Sequence, residues 1–459
     1  MSDRSRRGIL ALLFVGVLMG ALDIAVVGPA LPAIRASFGV DERAAAWIFT
    51  IYVLANLVGT PLMAKLSDRF GRRMLYVTDT VLFAAGSLMV ALAPSFGVLL
   101  LGRAIQGLGA GGIFPVAAAV IGDTFPPERR GGALGLIGAV FGLAFLIGPV
   151  LGGVLLRFGW QWLFVVNLPI AAAVIAGSMR LLPGGRPAVE ALFDWAGMAA
   201  LGAALTALAY GVSQIDATHF AASVASSGVW PFLTLAVVLV PVFVVAERRA
   251  ADPVLRLTLF RSSQVGITAG LAVGAGLGEA ASVFVPAFLV AAFGVSAATA
   301  SFMLLPVVVA LAIGAPLWGR LLDRVGSRLV VVTSTALIAL GMAMFATVAT
   351  RLTGYYVGAV LGGLGLAGLL GSSLRYLMLN EAPASDRASA QAALTIFMSV
   401  GQLLGGAAVG AIAASAGGGV RGFDRAFAVI GIVALVLTLL AFGLKSRREE
   451  LAGARAAAH

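Results

Sequence analysis

Five ionisable side chains stand inside long apolar runs of this chain: Asp23, Asp79, Arg103, Glu279 and Arg375. If those runs lie in lipid, each such group costs about 2.5–3.5 kcal/mol on insertion scales, which makes it a functional candidate by default. Asp23 falls well into the first run, roughly 21 Å along a helix from its start, and Arg103 lies roughly 9 Å from the far end of the fourth. In a hydrocarbon core about 30 Å thick these depths coincide, so the two can pair. Such a pair has a structural reading, a buried ion pair and nothing more. It also has a chemical one. Desolvation opposes the charged form of a buried carboxyl and a neighbouring arginine favours it, so a carboxyl in a cavity can gain or lose a proton as the cavity changes sides. On the chemical reading Asp23 carries the proton and Arg103 modulates it.

Glu279 sits near the middle of the ninth run, where it is expected to neutralise a cationic substrate or carry a second proton. Arg375 lies about one turn from the end of the twelfth run, either snorkelling to the interface or meeting anionic head groups. Asp79, near the start of the third run, reads as structural. Tyr52 and Asn56, one turn apart, together with Gln106, Phe284, Arg375 and Gln402, are candidates to line a substrate cavity. The chain has no cysteine and two histidines, His219 and His459, which leaves little for thiolate chemistry, a metal site or a histidine base. No metal, no cofactor and no enzymatic activity are expected.

The elements that must position these groups follow from composition. Hydrophobic residues make up 60% of the 459 positions and charged residues 11%. Soluble domains carry roughly 25% charge, so the solvent for most of this surface is lipid. A span needs about 20 apolar residues. Fourteen runs meet that length, from 9–33 to 424–444, with the seventh and eighth (196–214 and 228–247) the weakest. With the first end cytoplasmic, 23 basic residues fall in cytoplasmic segments and 6 on the other side. That bias predicts an even number of spans with both ends in the cytoplasm. The expected location of this multi-pass protein is a bacterial plasma or inner membrane. It also explains the net charge of +11 without nucleic acid. All six tryptophans fall at predicted span ends, where an interfacial belt would put them.

Two loops repeat. Ala64-Lys-Leu66-Ser-Asp68-Arg69-Phe-Gly71-Arg72-Arg73 and Gly319-Arg-Leu321-Leu-Asp323-Arg324-Val-Gly326-Ser-Arg328 share Leu, Asp, Arg, Gly and Arg at the same offsets. Each follows the second span of a six-span block. The chain therefore divides into an N-terminal six-helix bundle (1–182), an inserted pair of spans with linkers (183–258) and a C-terminal six-helix bundle (259–459). Duplicated halves are a common way for secondary transporters to build a midplane site and rock around it.

At these residues the chain resembles the major facilitator superfamily, whose signature cytoplasmic loop reads G-x-L-x-D-R-x-G-R-R. Three further segments are similar to its fourteen-span drug:proton antiporters: Leu100 to Gly109 around Arg103 and Gln106; Gly135 with Gly148, Pro149, Gly152 and Gly153; and Leu22-Asp23-Ile-Ala25 through Gly28 to Pro32. Trp160 to Pro169, which includes Asn167, and Phe193-Asp194-Trp195 also look like that subfamily. Ala64, Ala144, Ala25 and Gly28 depart from the family pattern without removing a charge. The resemblance implies an all-α fold of two six-helix bundles plus two inserted spans. It implies a cytoplasmic latch in which Asp68 meets the facing bundle and the loop arginines, Arg69 and Arg72 among them, meet Asp123, with Asp323 and Arg324 as the second copy. It implies proton-coupled antiport of amphipathic small molecules, cationic ones included, by a monomer in the bilayer. A dedicated exporter of one lipid or metabolite on the same fold is the alternative. Two G-x-G-x-x-G strings, at Gly107, Gly109, Gly112 and at Gly363, Gly365, Gly368, follow no strand and read as smooth helix faces rather than as dinucleotide sites.

Overall fold

Helix is the only regular structure among the described residues of the computed structural model, which are 3–184, 194–250, 253, 255, 257–347, 351–381 and 387–450. A backbone in lipid must satisfy its own donors and acceptors, and helix does so within one segment. Of the residues named above, Phe193 and His459 lie outside the described set, as do several of the basic residues counted for the charge bias.

Two compact units emerge: Met1–Val40, Trp47–Trp195 and Ser296–Phe302 form one; Asp41–Ala46, Ala196–Val295 and Met303–His459 form the other. The first holds α1 (Asp3–Phe38), most of α2 (Glu42–Phe70), α3 (Arg72–Ala91), α4 (Phe96–Thr124), α5 (Pro127–Leu155), α6 (Trp162–Val165) and α7 (Asn167–Leu181). Its core is built from α1, α3, α4, α5 and α7, with Leu13, Phe83, Val116, Ile137 and Val174 among the buried side chains. The second unit starts with α8 (Trp195–Ser213), α9 (Phe220–Val224) and α10 (Trp230–Arg249). It continues with α11 (Ser263–Val283), α12 (Val285–Phe293), α13 (Ala297–Met303, mostly counted with the first unit) and α14 (Leu305–Val325). It ends with α15 (Ser327–Thr347), α16 (Leu352–Gly368), α17 (Leu374–Glu381), α18 (Arg387–Ser415) and α19 (Gly419–Ala441).

Thirteen helical stretches among the described residues are long and apolar enough to cross a membrane. The fifth of the fourteen predicted spans falls on α5, a helix of 29 residues of which Leu146–Leu155 is the fully described apolar part. Several predicted single spans are broken helices. Breaks fall at Val166, Phe284 and Leu304, and Pro169, Pro286 and Pro306 follow each within three residues. A proline lacks the N–H that a continuous helix would need and fits the first turn of a new one. The twelfth predicted span is interrupted by a π-helical turn, Leu369–Ser373, inside which Gly371 leaves helical geometry at ψ −126°.

The repeated loop has a conformational basis. Gly71 and Gly326, at matching offsets, take φ of +97° and +88° and join α2 to α3 and α14 to α15. Only glycine adopts such angles routinely, so the turn that reverses each helix pair demands the residue the two copies share. The tryptophans divide. Trp162, Trp195 and Trp230 are exposed, but Trp160 and Trp318 are buried and donate to Ser37 Oγ (3.0 Å) and the Leu364 carbonyl (2.8 Å). An indole N–H that finds a partner can leave the interface for the core.

Between α8 and α9, Asp216 accepts from the Thr218 amide (2.8 Å) and hydroxyl (2.6 Å), with the His219 ring 3.3 Å away. The Thr218 bonds, helped by His219, hold its carboxyl down at about 2. A free carboxyl of this type titrates at about 3.9, so this turn is fully formed above that pH and loses its anchor as pH falls toward 2. Amide exchange at Thr218 is expected to speed up over that window in the wild type and to be fast at every pH in Asp216→Ala.

Candidate functional site

Arg103 is the largest fully buried side chain among the described residues, and its partners come from several helices. Its Nη1 donates to Asp23 Oδ2 (2.6 Å) from α1 and to Gln106 Oε1 (2.5 Å) one turn along α4; its Nε donates to the Ile48 carbonyl (3.1 Å) of α2. Arginine has donors only, so Gln106 must turn its oxygen to Arg103. That leaves the amide Nε2 to donate to Asp23 Oδ1 (2.7 Å) and to Ser87 Oγ (2.8 Å) on α3. Asn167 Nδ2, at the start of α7, donates to the same two oxygens at 3.3 Å. Asp23, Ser87, Arg103 and Gln106 have no solvent exposure. The remaining nitrogen of Arg103, Nη2, has no hydrogen-bond partner, but the guanidinium lies 4.2 Å from the centre of the Tyr52 ring and 5.8 Å from that of Phe164. A cation over an aromatic face in a dry setting gains about 2 kcal/mol, which partly replaces the missing acceptor.

Glycines set this geometry. A Cβ at Gly86 would stand 2.5 Å from Gln106 N, so its absence lets α3 lie against α4 and brings Ser87 into reach. The first G-x-G-x-x-G string does related work, since Cβ atoms at Gly107 and Gly109 would meet the Tyr52 and Asp79 carbonyls at 2.4 and 2.5 Å. The second does so at Gly363 and Gly365, against the carbonyls of Val307 and Ser334 at 2.6 Å. Both strings are helix-packing faces.

In the second unit Glu279 of α11 lies beside the side chain of Gln402 of α18. Phe284 is buried at the α11–α12 break. Arg375 is exposed on α17, its carbonyl accepting from Gln391 Nε2 (3.0 Å), and no ion pair forms on its guanidinium among the described residues. Asn56 is half-buried and uses its carbonyl to hold Thr60 Oγ1 (2.8 Å). Tyr52, a candidate for the cavity wall, instead lies under Arg103 with its ring fully enclosed.

Around the first repeated loop, Arg72 pairs with Asp68, takes Asp123 Oδ2 at 3.1 Å and donates to Ser67 Oγ at 2.6 Å. Arg69 is exposed and lies over the Phe70 ring. The second copy is wired differently. Asp323 and Arg324 are exposed without an ion pair among the described residues, and Ser327, at the offset of Arg72, bonds Glu450. On α5, Gly148 faces Ala25 of α1, where a Cβ would approach to 2.6 Å. The Pro149 carbonyl accepts Ser301 Oγ at 2.7 Å, and Cβ atoms at Gly152 and Gly153 would meet Ser301 Oγ at 2.7 Å and the Phe302 ring at 2.5 Å. Ser87, Ser301 and the Ile48 carbonyl are parts of these contacts that sequence reading missed; small hydroxyls and main-chain oxygens carry no signal in an apolar helix.

The family model described as Major Facilitator Superfamily matches residues 13–284 and 267–458. The chain belongs to the major facilitator superfamily. This is a family of transporters that carry small molecules across membranes, so the chain is a multi-pass membrane transporter and not an enzyme. Among curated relatives, an uncharacterised MFS-type transporter of Bacillus subtilis, YfiU, is 34% identical over 409 residues, 88% of this chain and 79% of that one. Multidrug resistance protein 3 of the same organism is 30% identical over 397 residues (86% and 77%), and the multidrug resistance protein Stp of Mycobacterium tuberculosis 30% over 416 residues (87% and 74%). The solved structure of the nucleoside transporter NupG superposes with a TM-score of 0.69 over 95% of this chain and 99% of that one, at 13% identity. That likeness speaks to fold alone.

Proposed function

We propose that this facilitator is a proton-coupled antiporter that exports amphipathic small molecules, cationic ones included, by alternating access. The observation that carries the reading is the Asp23 cluster: a carboxylate with no solvent exposure, held by one arginine and two amides. Protonating Asp23 removes its charge and leaves Arg103 without a counterion, so the state of one proton changes the best packing of α1, α2, α3, α4 and α7 together. Such a cluster is a two-position element that proton binding biases. Glu279 supplies a second carboxyl, beside Gln402, with charge opposite to that of a cationic substrate. The multidrug names of two relatives support the substrate class. The reading includes the fourteen-span topology in six, two and six, both ends in the cytoplasm of a bacterium, and the Asp68–Arg72–Asp123 contact as part of a cytoplasmic latch.

The test is transport in proteoliposomes under an imposed pH gradient, with a cationic dye and a fluorescent lipid as alternative cargoes. Uphill movement of the dye, abolished when the gradient is collapsed, is the expected result. Proton dependence for the lipid only would favour a dedicated lipid exporter, and none for either cargo would overturn antiport.

A further inference from the structure

The Asp23 cluster leaves one fully buried acid of the first unit unused among the described residues. Asp79, on α3, has no solvent exposure, and neither of its carboxyl oxygens has a hydrogen-bond partner. It occupies a slot cut for it in the neighbouring helix: a Cβ at Gly112 of α4 would lie 2.0 Å from Asp79 Oδ2, 2.3 Å from its Cγ and 2.5 Å from its Oδ1. One turn toward the Arg72 end of α3, the Tyr76 hydroxyl is also buried and unpartnered, against Gly16 of α1, where a Cβ would stand 2.1 Å away.

The titratable and charged groups on the elements around this slot are few. On α3 the nearest is Tyr76. On α4 they are Arg103, committed to Asp23 and Gln106, and Asp123, committed to Arg72. On α1 they are Asp23 itself, Arg35 near the far end and, at the start, Asp3, Arg4, Arg7 and Arg6, the last of which donates to the Thr124 carbonyl. On α7 the only one is Arg180, in its last turn, and α6 has none. None of these bonds Asp79.

An aspartate anion with neither a donor nor a counterion is the most costly buried group a protein can hold, and the usual resolution is to neutralise it. We propose that Asp79 is a second proton-binding site, occupied by a proton in this conformation, and that it stands between the Asp23 cluster and the Arg72 end of the helix. Ser87, which touches the cluster, lies about 12 Å further along α3, and Arg72 about 10 Å in the other direction. Asp79 is therefore an intermediate position on one continuous helix. When α3 and α4 part at Gly112, the O–H bond of Asp79 breaks, its proton passes to a water molecule admitted from the Arg72 end, and the carboxylate left behind is hydrated. Tyr76 Oη is the first group on that route able to bond such a water. The part this site plays in transport rests on the proton-coupled reading above; its occupancy by a proton does not.

The test is infrared difference spectroscopy on the full-length protein in lipid nanodiscs, stepped between neutral and alkaline pH. A carbonyl band of a protonated carboxylic acid is expected in the wild type, absent in Asp79→Asn and retained in Asp23→Asn. Asp79→Glu, which keeps the acid, is expected to shift the band without removing it, and Asp79→Leu serves if the asparagine variant fails to fold. A band that survives in both Asp79→Asn and Asp79→Leu overturns the proposal. So does a wild-type spectrum that lacks the band but responds to sodium at fixed pH, which would make the slot a cation site. In proteoliposomes Asp79→Asn is expected to slow gradient-driven export at least tenfold while substrate binding stays within twofold. If the wild type proves independent of the gradient, antiport fails while the infrared assignment is still decided on its own.

Discussion

Asp23→Asn is expected to abolish uphill export in proteoliposomes and to lower the stability of the folded protein by about 3–5 kcal/mol, the usual result of stripping one partner from a buried ion pair. The hydrogen-bond geometry makes the loss specific. The two carboxylate oxygens of Asp23 accept from different sides, Oδ2 from Arg103 and Oδ1 from Gln106 and Asn167. An asparagine that gives its oxygen to Arg103 turns an NH2 group toward two amide donors, and the reverse orientation turns it toward the guanidinium. Either way a donor faces a donor in a space without water. The double variant Asp23→Asn, Arg103→Met removes the stranded charge and is expected to recover much of the melting temperature with no recovery of transport. Thermal melting in detergent and gradient-driven uptake separate the two effects. Normal uphill transport by the single variant would end the role of Asp23 as proton carrier.

Gly276→Ala is expected to cost about 3 kcal/mol, the upper part of the range for overpacking, and to impair export through the second carboxyl. A methyl group there would lie 2.0 Å from the Met398 carbonyl oxygen and 2.7 Å from Gln402 N, both main-chain atoms of α18. Main chain cannot swing aside as a side chain does, so α11 and α18 must separate. Glu279 lies one turn beyond Gly276 and beside Gln402 of α18, so the separation also draws the acid away from that neighbour. Gly266, on the same helix, provides the control, because a methyl group there would meet nothing within 4 Å. Gly266→Ala should be neutral or stabilising by up to about 1 kcal/mol. Equal melting temperatures for the two alanine variants would show that the helices are not held at this distance.

How much of this was legible in the sequence depended on how rare each residue type is in its setting. Asp23 and Arg103 were found by depth alone, because a charge in an apolar run has few possible partners at its own level. Gln106 and Tyr52 were picked out as polar or aromatic groups that could line a cavity, and both contact the Asp23–Arg103 cluster. Spacing along one helix cannot say whether a side chain ends at a space or at a neighbour. Ser87 was invisible because a serine in a membrane helix can bond its own preceding turn, as it also does here with the Phe83 carbonyl (2.9 Å). Asp79 read as structural from its place near a helix end, and only the absence of any donor around it pointed elsewhere. The helix breaks at Val166, Phe284 and Leu304 were written in the prolines, but a hydropathy count runs through them.

The shared turn at Gly71 and Gly326 carries a consequence for how the chain is made. A side chain at either position would force an L-residue into an extended conformation with positive φ that is essentially reserved for glycine, a penalty of about 1–3 kcal/mol. The ribosome delivers the first turn long before the second, and domains form as their residues emerge. A fault at residue 71 is met while the remainder of the chain is still being synthesised, when a misrouted first pair of spans can misdirect those that follow. A fault at residue 326 is met by a chain whose first unit has already been delivered to the bilayer. The same strain, written twice, therefore acts at two stages of biogenesis.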